Sequence, residues 1–179
     1  MASASDVAFP ILNQVPQNAL TILHQQKFKF RIKPSFEKKL KQDYLRHYFQ
    51  PWLQPYIPRS RRDLRQHENN ILTSLEKNPG WNENMQRHSR QWINAIKSQI
   101  NWQSFPNQHA AAIVTSASAL RILPTVVPSY GNPKKAGQGA PFDNLQVSVL
   151  YPNLPIYILH TTQDGAWGFV VTPDHSVGW

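Results

Sequence analysis

A chain of 179 residues with 40% hydrophobic side chains, 6 Trp, 6 Tyr and 8 Phe holds enough apolar mass for a packed core in one or two domains, which argues against wholesale disorder. It has no cysteine, which excludes disulfide scaffolds, thiolate zinc sites, iron–sulfur clusters and a cysteine nucleophile. The net charge of +9 belongs to one half: residues 1–100 hold 16 Lys/Arg against 7 Asp/Glu, whereas residues 101–179 hold 3 of each.

A basic half favours anionic partners, meaning nucleic acid, acidic lipid or a carboxylate-rich wall polymer, although a solvated face has the same composition. No stretch approaches the ~20 apolar residues of a membrane span, and no charged segment followed by a long apolar one opens the chain. The expectation for an exported parent is that Met1 stands where a signal was removed.

Residues 1–26, with Pro10 and Pro16 among Asn and Gln, show no sustained period and predict an extended arm with a short turn of helix near Ala19 to His24, the arm as a whole running over 1–34. Lys27 to Lys33 alternates three apolar side chains with four cations, as in a half-buried edge strand. Its cationic side fits an anion strip, but the reading favoured is the Lys pattern that keeps exposed edges from pairing. Ser35 is a candidate N-cap for a first helix that carries Phe36, Leu40, Tyr44, Tyr48 and Phe49 along one side and stops at Pro51. The aromatic run Tyr48-Phe49-Gln50-Pro51-Trp52 predicts core or an interdomain plug.

A second helix is expected from Ser60 to Asn78, burying Leu64, Ile71, Leu72 and Leu75 and broken by Pro79-Gly80. Arg59, Arg61, Arg62 and Arg65 sit at its start, where the helix dipole favours anions, so they are either solvated or hold an acidic partner. A third helix is expected from about Glu83 to Ile100, burying Met85, Trp92, Ile93, Ile96 and Ile100. The boundary falls after Asn107, giving an arm over 1–34, a helical unit over 35–107 and a second unit over 108–179.

Beyond it the chain turns rich in Ala, Val, Ile and Thr, with short strand-like runs at 145–150, 155–160, 166–172 and 177–179. That spacing predicts a small all-β barrel, and Asp164-Gly165 predicts a tight primed hairpin turn. The fold class expected is therefore α+β, a three-helix unit followed by a small SH3-like β-barrel.

Seven histidines occur, at 24, 47, 67, 88, 109, 160 and 175, and none forms HExxH or an i, i+4 pair, so neither a zinc site nor another metal is expected. No GxSxG elbow supports a serine nucleophile with Asp143 and His160, and no GxGxxG or GxxxxGK[ST] supports a nucleotide; no cofactor is expected.

The segments LRILPT (120 with its neighbours), APFDNLQ (140–146), LPIYILHTTQDGAWGFVVTP (154–173) and the closing Gly178-Trp179, in that order, resemble the first bacterial SH3 domain of NlpC-type peptidoglycan endopeptidases. YFQPW, PGWNEN and FPNQHAAAI resemble the helical N-terminal region of the same family, so the likeness spans most of residues 35–179. The resemblance implies a parent that cleaves the γ-D-glutamyl to diamino-acid bond of wall stem peptides with a Cys-His dyad on a separate papain-like domain. No Cys is present to act there, so the chain is expected to be noncatalytic, either an N-terminal fragment or a shortened relative. The partners implied are a stem peptide and a downstream catalytic domain in cis or trans, in the periplasm or outside the cell.

Within the second unit, the loop carrying Tyr130, Phe142 and Asp143 can build a groove with aromatic walls and one carboxylate, with Arg121 or Lys134 for acid groups and Trp167 as a further platform. The competing reading ties Asp143 and Gln146 to the barrel, pairs Arg121 with Asp143 and buries Trp167 in the core. A basic nucleic-acid or acidic-surface binder is the alternative function, motivated by the aromatics between cations at 27–33 and 44–52. Nucleic acid is the disfavoured partner, because those aromatics fall on helix faces that need burial and the barrel half carries no net positive charge.

Overall fold

The computed structural model describes residues 32–53 and 60–179. The expected edge strand at Lys27–Lys33 lies outside them except for its last two residues, as do Arg59 and nearly all of the arm. The chain divides into two compact units, residues 1–41 and 42–179.

Helix α1 spans Pro34–Tyr48. Pro34, not Ser35, opens it: the carbonyl of Lys33 accepts from the N–H groups of Phe36 at 2.9 Å and Glu37 at 3.0 Å, and proline at the first helical position forfeits an N–H that would have no intrahelical partner. The side expected to be buried is exposed at Phe36, Leu40 and Tyr44. Pro51 does not end the helical run either, since it is the buried second residue of the short α2 (Gln50–Leu53). The aromatic run then clasps the strands at their surface. The Tyr48 hydroxyl donates to the Asn153 carbonyl at 3.0 Å, and the Trp52 indole donates to the carbonyls of Ala112 and Ile156.

Helix α3 (Arg61–Lys77) starts where its cap predicts: the Ser60 hydroxyl accepts from the Asp63 N–H at 3.1 Å. Leu64 and Leu72 are buried, Ile71 and Leu75 partly so, and Glu68, on the same stripe, is buried with them. Helix α4 (Arg90–Ile100) is capped by Ser89 and begins seven residues later than the expected start at Glu83. In the intervening turn the Asn82 side chain accepts from the N–H groups of Asn84 and Gln86, at 2.9 and 3.0 Å, and Met85 has a φ of 59°. A side chain competing for backbone donors in this way keeps the helix from propagating backward, and Met85 is exposed, not buried as its spacing suggested.

Six strands follow: β1 (Ala110–Ile113), β2 (Ser118–Arg121), β3 (Gln146–Leu150), β4 (Pro155–Thr161), β5 (Gly168–Val171) and β6 (Val177–Gly178). They form an antiparallel four-stranded sheet in the order β1-β4-β5-β6 and a β2-β3 pair. The N–H of Arg121 donates to the Trp179 carbonyl at 2.7 Å and that of Trp179 to the Arg121 carbonyl at 2.8 Å, which joins the two sheets. Gly178 permits the approach, because a Cβ there would lie 2.8 Å from the Arg121 carbonyl oxygen and 3.0 Å from the Leu120 side chain. The architecture is α+β with an SH3-like barrel.

The turn at Asp164-Gly165 is not of the primed two-residue kind, both types of which need positive φ at the first central residue. Only Gly165 has it, at 68°, while the Asp164 carboxylate accepts from the Thr162 hydroxyl at 2.6 Å and the Ala166 N–H at 3.0 Å. Asp164 thus serves as a side-chain brace for a wider loop, and those bonds hold its carboxyl below the usual carboxylate range.

Within residues 42–179, one core contains Leu64, Leu72, Ile93, Ile96 and Ile100 from the helices together with Leu123, Leu145, Leu159, Phe169 and Trp179 from the barrel. Trp102, Phe105, His160, Phe169 and Trp179 meet edge to face at its centre, with Trp102 stacked parallel to His160 at 5.8 Å. The His160 Nε2–H donates to the Ile100 carbonyl at 2.7 Å, and burial pushes the ring's pKa down, so the imidazole packs as a neutral aromatic.

Candidate functional site

Between the end of α3 and the long loop after β2, residues 42–179 enclose an open cavity of about 500 Å³. Its helical wall is Ile71, Ser74, Leu75 and the turn Asn78 to Trp81; its loop wall is Ser129 to Asn132, Lys135, Gln138 and Asn144. The two walls are stitched by backbone: the Trp81 N–H donates to the Tyr130 carbonyl at 3.0 Å and the Tyr130 N–H to the Trp81 carbonyl at 2.8 Å. Gly80 lets them meet, because a Cβ there would fall 2.9 Å from the Tyr130 carbonyl and collide with the Ser129 hydroxyl. Pro79-Gly80, expected only to break a helix, thus shapes the cavity floor.

Arg87 lies over the Trp81 ring, 5.2 Å from its centroid, and places a cation at the rim, with Lys135 across from it on the loop. His88, next to Arg87 in sequence, is buried and stacked on Trp92 at 3.8 Å, and desolvation lowers its pKa. The loop itself is tied internally, as the Asn132 N–H donates to Gln138 Oε1 at 3.1 Å and the Lys134 N–H to Asn132 Oδ1 at 3.0 Å. Aromatic, cationic and amide groups around one concavity suit a polar ligand that carries acid groups and peptide bonds.

The five expected site residues do not converge on one point. Tyr130, half-buried, lines this cavity. Arg121 and Asp143 form a buried ion pair of 2.9 Å instead. Asp143 Oδ1 accepts from the N–H groups of Ser129 and Leu145, both at 2.9 Å, and Arg121 also donates to the Val127 carbonyl at 3.2 Å. That is the loop-tying arrangement the sequence left open against ligand contact. Phe142 is exposed and lines neither this cavity nor the next. Trp167, packed against the core, lines a second cavity of about 610 Å³ with Arg121, Val126 and Trp179. Sequence reasoning missed Trp81 and Arg87; a Trp and an Arg six residues apart around Pro-Gly and Asn were the available signal.

Among the described residues no group of His, Asp and Glu is placed to hold a metal ion, and no helix is long and apolar enough to cross a membrane.

Residues 6–105 match the family profile described as the NLPC_P60 stabilising domain, N-terminal, and residues 128–179 match that of the SH3 domain of the SH3b1 type. A solved structure described as a novel NlpC/P60 endopeptidase from Photobacterium damselae subsp. piscicida is similar, with a TM-score of 0.73 and 25% identity over 87% of this chain. The chain spans 37% of that protein's length. No curated protein matches the chain.

Proposed function

This chain belongs to the family of the NLPC_P60 N-terminal stabilising domain, and from that premise we propose that it is the noncatalytic part of a bacterial cell-wall endopeptidase that positions peptidoglycan stem peptides. The observation that carries the proposal is the cavity between the α3 turn and the Tyr130 loop, because both matched regions contribute a wall to it. In this reading Tyr130 packs against the peptide, Arg87 and Lys135 pair with its carboxylates, and the Arg121–Asp143 pair holds the loop in place. Phe142 and Trp167 contact the ligand or the catalytic domain from outside this cavity.

The chemistry of cleavage comes from a catalytic domain in cis or trans, since a cysteine nucleophile cannot be drawn from these 179 residues. A peptide held by one wall from each region is presented in one orientation, which lowers the entropic cost of the step performed elsewhere. The setting proposed is the periplasm or the cell exterior, where the substrate is found.

Isolated sacculi and defined wall tripeptides and tetrapeptides test the proposal, with a single-stranded oligonucleotide alongside at ~0.15 M salt, since nucleic-acid affinity is salt-dependent. The chain is expected to bind sacculi and peptides and to lose peptide affinity in Tyr130→Ala and Lys135→Ala, while releasing no dipeptide from muropeptides. Binding of oligonucleotide but not peptide favours the basic-surface reading, and dipeptide release by the repurified chain contradicts a noncatalytic role.

A further inference from the structure

We propose that a third cavity, beside Glu68, is a binding site for a small organic cation: an ammonium group on a short apolar arm. The proposal is independent of the wall-peptide reading, since the cavity shares only Ile122 with the lining of the Tyr130 cavity.

The cavity has a volume of about 380 Å³, with Ile122, Phe169 and Val177 among its apolar walls and His67 and His175 among its polar lining. Glu68 lines it while only 3% exposed. Its Oε1 accepts from the Trp179 indole N–H at 2.9 Å, and its Oε2, equally buried, has no hydrogen-bond partner among the described residues. Tying α3 to the residue after β6 uses the first oxygen and leaves the second unexplained. An unpaired buried carboxyl oxygen is costly, and proteins ordinarily satisfy such groups with a protein donor, a water or a ligand.

When Glu68 is ionised, as an arriving cation would make it by displacing the carboxyl proton, the missing partner of Oε2 is a donor, and the walls fit its remainder. An ammonium brings three N–H donors and no acceptor, and its bond to a carboxylate is about twice as strong as one between neutral groups. Neither Lys nor Arg is among the described lining residues, so no protein cation competes for the place. An anion is disfavoured by Glu68 and by the nearby Asp174, which the Thr172 hydroxyl and Ser176 hold ionised below the usual carboxylate range. A neutral alcohol offers a single donor. The apolar walls then set the length of arm that accompanies the charge.

The test follows the indole N–H resonance of Trp179 in the full chain, assigned with Trp179→Phe, during titration with n-pentylammonium, pentanol and pentanoate. The resonance is expected to shift saturably with pentylammonium, at an affinity at least ~10-fold above that for either isostere. Glu68→Gln retains an acceptor for the indole and is expected to weaken pentylammonium ~10-fold or more. Val147→Trp changes a half-exposed lining residue, crowds the cavity without touching Glu68 and is expected to do the same, which keeps the test decisive if Glu68→Gln fails to fold. Equal shifts with pentanol, no shift of Trp179, or undiminished binding in Val147→Trp each overturn the site. Tyr130→Ala leaves pentylammonium binding unchanged, which separates this site from the peptide cavity.

Discussion

The loop after β2 and the seam between α3 and β6 each bury a carboxyl group, and they treat it in opposite ways. At the loop, Asp143 faces Arg121 at 2.9 Å and takes two backbone N–H groups, so its charge is met from three directions. At the seam, Glu68 meets one indole N–H within apolar walls, and burial pushes its pKa up to about 8. The same functional group is thus a fixed, fully partnered brace in one region and a half-satisfied group in the other. A buried charge with full partners organises structure; a buried carboxyl short of partners is available to a ligand.

The largest expected effect tests the brace. Asp143→Ala leaves Arg121 buried without its counter-ion and is expected to cost about 3–5 kcal/mol, read from denaturant midpoints. A loss under ~0.5 kcal/mol, as at ordinary surface positions, would remove the brace from the account. Gly80→Ala comes next: its methyl meets the Tyr130 carbonyl and Ser129, and a cost of about 1–3 kcal/mol is expected from forcing the two cavity walls apart.

Glu68 sharpens the contrast through pH. Its folded pKa lies above its ordinary value of 4.5, so the folded state holds a proton that the unfolded state has released between about pH 4.5 and 8. Its stabilising contribution is complete below the unfolded pKa and falls by ~1.4 kcal/mol per pH unit until the folded pKa is passed. Glu68→Gln is expected to abolish that part of the slope and to be the more stable protein at pH 9, which urea titrations at several pH values would show. Parallel slopes for the two proteins would mean that Glu68 finds a partner when ionised. The smallest expected effect is on stability in Tyr130→Ala, a shift within ~0.5 kcal/mol despite its loss of peptide affinity.

Much of this contrast was legible in the chain, though unevenly. Helix α3 could be bounded from Ser60, Asp63 and Pro79-Gly80 because capping and breaking are local. Four strands were legible from alternation and turn residues for the same reason. Glu68 carried a signal that went unused: it stands four residues from both Leu64 and Leu72, inside the apolar stripe of its helix. Arg121 carried less. Strict alternation after the buried Leu120 would turn it outward, but a bulge between the two residues breaks the register and buries both. Such a shift depends on the partner strand, so the convergence of Arg121 on Asp143 could be offered only as one of two readings. The start of α4 was missed for a different reason: the Asn82 side chain captures the N–H groups of Asn84 and Gln86, a local competition that the apolar spacing does not register.

The central claim is that the cavity between Trp81 and Tyr130 receives a wall peptide while the Arg121–Asp143 pair merely holds its loop. A titration of the 179-residue chain with a wall tetrapeptide, followed by amide and indole NMR shifts, tests it most directly. The account predicts saturable shifts concentrated at Trp81, Arg87, Tyr130 and Lys135, abolished in Tyr130→Ala with the melting temperature retained. Shifts confined to the surroundings of Phe142 and Trp167, or none at millimolar peptide, would contradict it.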